Sequence, residues 1–445
     1  MQDELFVKLD MSRFLFGKPN RPVSNVMQVE MTRANPVFML WTMVHKFAVI
    51  GVVVAVLFPP ASVATATRDS AREMRVDWSR LPPGGFAPKE VPQFVAITSD
   101  DNFGNEQSDA VGGVKEYVRL MQPLRNADGT PARGTFFHTT MYLEGNRESW
   151  LAARRDQHEA AVHTRRHQNG GLPGIAGMSS AGCCRPQRFS VQEWIDEIGG
   201  ARSALIGDGG LGAASSDIVG HRAPFLAYSD AMFEAISQLG LTYDSSIPNC
   251  FGPGEDGRNC SWPHTLHEAS RDALTMEKTY QWAPVGAHPN IWEVSPTTLV
   301  VPDDSLSSKY GFTRGLRARI EGVRQRQGTL PYPTVYDAAT GRVSGLDYSL
   351  LVDLMVTPGE MLAIYKYTLD LHLAGNRAPL VVLSHAFLYA YEGEANAQNT
   401  ATLDVQRERW EAFTAFVRYA NSKPEVRLRP VNEIVEWMQH PTPLR

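Results

Sequence analysis

The chain has little of several things that mark a function at once. Only one long apolar run interrupts its 445 residues, Phe47 to Phe58, and it is short of the about 20 residues that a membrane span needs. Cysteine is scarce, with four in all. No charge of either sign dominates: the formal net charge of -5 gives no reason to expect nucleic acid as a partner. No internal repeat is visible. What remains is an ordinary globular composition, long enough for one large domain or two smaller ones.

The apolar run has an informative setting. Lys46 precedes it, and Ala61-Ser62-Val63-Ala64-Thr65-Ala66 follows. A basic residue, an apolar stretch and then small residues make a secretory signal peptide over 43–66. A signal anchor is the alternative if Phe38 to Trp41 join the run. Residues 1–42 are then an N-terminal extension, or translation starts near Met39 or Met43. No stable membrane span is expected after signal removal. Four cysteines fit an exported chain. Cys250–Cys260, closing a Gly/Pro-rich loop, is the favoured pair, although Cys183 or Cys184 could take either partner.

Residues 67–90 read as a polar linker. Beyond it, strand-like and helical patterns alternate. Strands are expected at Gln93–Thr98, Arg133–Thr139, Glu159–His163, Ile218–His221, Ile291–Val294, Leu380–Ser384 and Val426–Pro430. Helices are expected at Ala110–Met121, Arg147–Arg155, Ser190 to about Ile206, Asp230–Leu239, Gly359–Leu373 and Asp404–Ala420. Ser190 with Glu193 forms a capping box. Such alternation means a mostly parallel sheet covered by helices, and over 91–440 it favours a single barrel-like α/β domain. Residues 245–290 and 297–357 lack periodicity and read as long rim loops.

The chain is organised around Val95-Ala96-Ile97-Thr98-Ser99-Asp100-Asp101. An apolar strand ends there in two adjacent carboxylates, at the place where such sheets carry their sites. Two neighbouring carboxylates repel each other unless a cation joins them. His163 and His167, four residues apart, would reach one cation from a helical turn. The HExxH signature is absent, since His158 and His163 are five apart. Two histidines and one aspartate leave open positions, which is the catalytic arrangement. The second aspartate is then free to act as a base. Arg222 follows another strand and can hold a carboxylate by two hydrogen bonds. His385 ends the most apolar strand and suits a general acid. Read singly, each has a plain alternative: a turn for the aspartates, a solvated surface for Arg222 and a core or surface position for the histidines.

Together, Thr98-Ser99-Asp100-Asp101, His163-Thr164-Arg165-Arg166-His167, Arg222-Ala223-Pro224-Phe225 and Leu383-Ser384-His385 resemble the ordered motifs of polysaccharide deacetylases, carbohydrate esterase family four. Arg133-Gly134-Thr135-Phe136-Phe137, Thr242-Tyr243-Asp244-Ser245-Ser246, Trp262-Pro263-His264-Thr265-Leu266 and Ile291-Trp292-Glu293-Val294 resemble the animal-type chitin deacetylases. The resemblance implies a distorted (β/α) barrel with zinc or another divalent metal such as cobalt. It implies Asp100 as base, Asp101, His163 and His167 as metal ligands, and Arg222 as the residue orienting the base. It implies the backbone N–H of Phe225 at the oxyanion and His385 as acid. Ser99 stands where the family has Phe, which would loosen packing under the metal. Asp244 lies in the fourth motif, but Ile247 and Pro248 replace its second Asp and its Trp, so the partner of His385 is left open. Arg165 and Arg166 either meet acidic groups of a substrate or are solvated.

The function expected on this resemblance is a secreted deacetylase acting on an N-acetylated glycan, chitin or its oligomers first. Peptidoglycan or another acetylated polysaccharide comes second. The rivals are a catalytically inactive glycan-binding protein on the same scaffold and an amidohydrolase for a small amide.

Overall fold

The computed structural model describes residues 75–103, 113–171, 188–328, 330, 333–389 and 401–444. The segment expected to be a signal peptide, 43–66, and Cys183 and Cys184 lie outside the described residues. No described helix is long and apolar enough to cross a membrane.

Strand β1 (Gln93–Asp100) is buried along its whole length, as a central parallel strand must be. It pairs in parallel with β2 (Thr135–His138), β11 (Leu380–His385) and β12 (Val426–Leu428). The sheet continues from β2 through β3 (Glu159–Val162), β4 (Gly220–His221), β5 (Tyr243–Asp244) and β7 (Trp292–Glu293) to the antiparallel β6 (His264–Thr265). Helices α1 (Val114–Met121), α2 (Leu143–Arg155), α3 (Val191–Leu205), α4 (Asp230–Gln238), α8 (Pro358–Ala374), α9 (Leu403–Asn421) and α10 (Val431–Gln439) alternate with these strands. The capping box is present: Ser190 accepts from the Glu193 N–H, and Glu193 reaches back to Ser190. This is the expected distorted (β/α) barrel, curled but unclosed.

Two single contacts bridge the gap beside β11. Thr297 exchanges bonds with Val381, its N–H to the carbonyl and its Oγ1 from the N–H. Leu346 pairs with Leu383 in an isolated bridge. Gly345 is needed at this approach, because a Cβ there would lie 2.0 Å from the Thr297 carbonyl oxygen.

The rim segments are more structured than expected. Residues 245–290 hold β6 and α5 (Arg271–Tyr280). Residues 297–357 hold a small sheet of β8 (Leu299–Val300), β9 (Tyr336–Asp337) and β10 (Arg342–Val343), with α6 (Ser307–Tyr310) and α7 (Leu316–Gln327). Two-residue strands are too short to show a period of two, which is why they read as loops. The end of the 67–90 segment also packs down. The Ser79 carbonyl accepts from the Trp262 N–H, and Arg80 pairs with the buried Glu255. Cys250 and Cys260 form the expected disulfide.

Candidate metal and catalytic centre

The site gathers at the carboxyl ends of β1, β3, β4 and β11. There Asp100, Asp101, His163, Arg222 and His385 are all buried. The backbone turns abruptly after β1, β3 and β4. Asp101, Asn102, Thr164, His167, Phe225 and Leu226 all adopt φ between 53° and 65°. These are six of the twelve non-glycine residues with positive φ among the described residues. Such residues concentrate where surrounding packing over-determines the backbone.

Asp101, His163 and His167 come together. The Asp101 Oδ1 lies 3.0 Å from His167 Nε2 and 3.7 Å from His163 Nε2. One ligand atom from each lies within 4.8 Å of the others. Two ligands each about 2.1 Å from a tetrahedral ion stand roughly 3.4 Å apart, so the three atoms fit an ion of zinc size. The His163 Nδ1 is 2.8 Å from the Arg222 carbonyl oxygen. A carbonyl only accepts, so Nδ1 carries the proton and Nε2 keeps a lone pair for the ion. Burial, with the nearby His167, pushes His163 well below its ordinary pKa and keeps it neutral. The Thr139 hydroxyl stands 3.3 Å from Asp101 Oδ1, a further tie on that carboxylate.

The two histidines do not share a helical turn. They sit in a bent loop after β3, with Thr164 and His167 in the left-handed region. Loop curvature rather than helical periodicity brings the rings to 5.2 Å. Arg165 and Arg166 point elsewhere: Arg166 pairs with the buried Glu197, and Arg165 is exposed.

Arg222 holds Asp100, but through one nitrogen rather than two. Its Nη1 donates to Asp100 Oδ1 at 2.6 Å and lies 2.8 Å from Thr98 Oγ1. Its Nε and Nη2 donate to the Ser245 carbonyl and hydroxyl, both at 2.9 Å. The fork is therefore spent on Ser245, and the guanidinium lies 4.0 Å over the Phe137 ring. Burial raises the Asp100 carboxyl, and the Arg222 charge offsets only part of that rise. Phe225 has φ 60°, and its N–H has no acceptor among the described residues. Ser99 is fully buried with no partner for its hydroxyl among the described residues.

The residue missed from sequence is Asp347. Its Oδ1 lies 2.6 Å from His385 Nδ1, and its Oδ2 accepts from the His385 backbone N–H at 2.8 Å. Burial alone would lower the His385 pKa. Asp347, with smaller help from Asp101 and Asp100, overturns this and raises it to about 9. Asp244, the fourth-motif residue, instead faces His221 at 2.7 Å. Nothing in the periodicity of 344–348 points to Asp347. Its only cue is a lone carboxylate between Leu346 and Tyr348, two residues past Gly345.

Aromatic side chains cluster beside His385. Phe103 stacks on Phe387 at 4.8 Å and meets Tyr142 at 4.7 Å, and Phe387 lies 5.3 Å from the His385 ring. A separate cavity of about 720 Å³, lined in part by Glu159, Thr242 and Asn432, lies at the opposite ends of β3 and β5.

No family model matches the chain. It is 22% identical over 366 residues to chitin deacetylase 1 of Bombyx mori, covering 81% of this chain and 53% of that protein. It is 27% identical over 195 residues to chitin deacetylase 8 of the same organism, covering 42% and 43%. The chain spans about half the length of the curated relatives it matches. Solved structures that it superposes on include a family 4 carbohydrate esterase from Streptomyces lividans in complex with acetate. That match has 19% identity, 34% of this chain, 62% of that one and a TM-score of 0.23. Another is a CE4 family pseudoenzyme from Bacillus anthracis, with 10% identity, 77% and 66% coverage and a TM-score of 0.32. In sequence the chain is thus similar to the deacetylases that its motifs resemble.

Proposed function

We propose that this chain is a secreted, metal-dependent deacetylase that hydrolyses N-acetyl groups of a glycan, with chitin or its oligomers as first substrate. The observation that carries this reading is one juxtaposition. Three metal-competent side chains, a carboxylate held by Arg222 and an imidazole held by Asp347 meet at the carboxyl ends of β1, β3, β4 and β11.

Asp101, His163 and His167 would hold zinc or another divalent ion. When bound, the ion acidifies water and polarises an acetamide carbonyl. Asp100 takes the proton of the attacking water. The N–H of Phe225, without an acceptor among the described residues, would donate to the carbonyl oxygen as it gains charge. His385, protonated at neutral pH, gives its proton to the departing nitrogen as the carbon–nitrogen bond breaks. Acetate and a free amine leave, the proton on Asp100 passes to solvent, and His385 takes one back.

The glycan assignment draws on the two similar proteins named chitin deacetylases and on the aromatic cluster beside His385, whose ring faces suit sugar rings. Secretion draws on the Phe47–Phe58 run and on the disulfide. Peptidoglycan and other acetylated polysaccharides are the next substrates, distinguished by the 245–290 and 297–357 segments.

The test is acetate release from chitin oligomers by zinc-loaded protein, with and without a chelator. Release that stops on chelation is the expected result. Binding of oligomers without any acetate release would instead favour the inactive glycan-binding reading. Release from a small amide alone would move the substrate away from polymers.

A further inference from the structure

Three of the motifs that flank the site play no part in the chemistry above, yet they meet at one place. His221 pairs with Asp244, Asp244 with Glu293, and Glu293 with His264 across β4, β5, β7 and β6. Paired residues on neighbouring strands project to the same side of a sheet. Arg222, one residue past His221, projects to the other side, toward Asp100. All four residues of the row are at most 3% exposed.

The row contains a carboxyl pair. Asp244 Oδ1 is 2.7 Å from His221 Nδ1, and Glu293 stands beside Asp244 as its register partner on β7. No lysine or arginine among the described residues forms an ion pair with either. Two buried carboxyls side by side cannot both ionise. Asp244 Oδ2 and Glu293 Oε2 have no donor among the described residues, and one shared proton would join two such oxygens. Burial, and then the Asp244 charge, push the Glu293 carboxyl well above its ordinary range.

Glu293 has a second bond. Its Oε1 accepts from the Ile247 N–H at 3.1 Å. It therefore grips the segment 244–247 at both ends. Between those ends, Ser245 supplies the carbonyl and hydroxyl that seat Arg222, and Ser246 Oγ accepts from the Ala223 N–H at 2.8 Å. The Ser245 hydroxyl is itself fixed on the Val294 carbonyl at 2.7 Å. Arg222 then reaches Asp100.

We propose that Glu293 is a positioning residue. As the neutral acid it donates to Asp244 and accepts from Ile247, and so it fixes the segment that seats Arg222 against Asp100. Its kinetic consequence rests on the base role proposed for Asp100; its structural consequence does not.

Glu293→Gln keeps an uncharged donor and an acceptor, whereas Glu293→Leu keeps neither. The experiment compares kcat, KM, zinc affinity by calorimetry and crystal structures of both variants. Glu293→Gln should retain kcat within a few-fold. Glu293→Leu should lower kcat by roughly 10²-fold, the scale of an ångström-size misplacement. KM and zinc affinity should stay unchanged, and Arg222 should have left Asp100. If the leucine variant does not fold, Glu293→Met, which is flexible and of similar length, takes its place. A folded apolar variant with Arg222 still on Asp100 would overturn the proposal. So would a glutamine variant as impaired as the apolar one. Should the wild-type protein release no acetate from any glycan, the Arg222–Asp100 geometry in the variants still decides the matter.

Discussion

Asp347 holds His385 at two points, one carboxylate oxygen on the ring Nδ1 and the other on the backbone N–H. The ring therefore cannot turn without breaking a charge-assisted bond, and its Nε2 is left for the cleft. The pair comes from segments 38 residues apart in the chain.

Asp347→Asn removes the charge and keeps the shape. His385 is protonated below its raised pKa of about 9, so the acid form is lost as pH rises through that value. The basic limb of the kcat profile should lie near pH 9 in the wild-type protein. In the variant it should move down by at least about one pH unit, with kcat falling about 10-fold for each pH unit above the new limb. An unmoved limb would show that Asp347 is not what keeps the ring charged.

Metal removal is the second prediction. Chelation should abolish acetate release, and zinc or cobalt should restore it. Calorimetry should find one ion per chain. Replacing Asp101, His163 or His167 by Ala should weaken binding by at least about 10-fold, whereas His385→Ala should leave it intact. Equal zinc affinity in all four variants would remove the ligand assignment.

The third concerns stability. Burial lifts Glu159 to about 7, against bonds from Asn432, Thr135 and Tyr243. An acid with a raised folded-state pKa is favoured by protonation. Its contribution is complete below the unfolded value and is lost as pH rises through the folded one. The loss amounts to at most about 3 kcal/mol. Urea unfolding should therefore show the wild type losing stability between about pH 5 and about pH 8, and Glu159→Gln losing less. Parallel curves would mean that Glu159 titrates normally.

The disulfide supplies the fourth. Cys250 and Cys260 close a loop with a sequence separation of 10. Loop-closure entropy for that length is worth about 2–3 kcal/mol. The Cys250→Ser, Cys260→Ser double variant should unfold at lower denaturant by that amount while still binding zinc. Loss of zinc binding would mean that the loop reaches the metal centre.

Most of the site was legible because each of its segments carries its own cue. The apolar run of β1 ends in Asp100-Asp101, that of β11 ends in His385, and the spacing of His163 and His167 survives even though the backbone between them is not helical. The capping box at Ser190 fixed the start of α3 in the same way. Asp347 was illegible for a physical reason. It reaches His385 through the single Leu346–Leu383 bridge at the barrel seam. One residue pair leaves no periodicity to read. The one-nitrogen grip of Arg222 on Asp100 was illegible too, since it depends on Ser245 claiming the rest of the guanidinium.

The left-handed turn at Phe225 sets a conflict for anyone who wants a hardier protein. Glycine would relieve roughly 1 kcal/mol of strain at that φ of 60°. It would also erase the ring that lies 4.7 Å from His167 and free the amide to wander. Sturdiness and turnover would then be traded against each other at a single backbone angle.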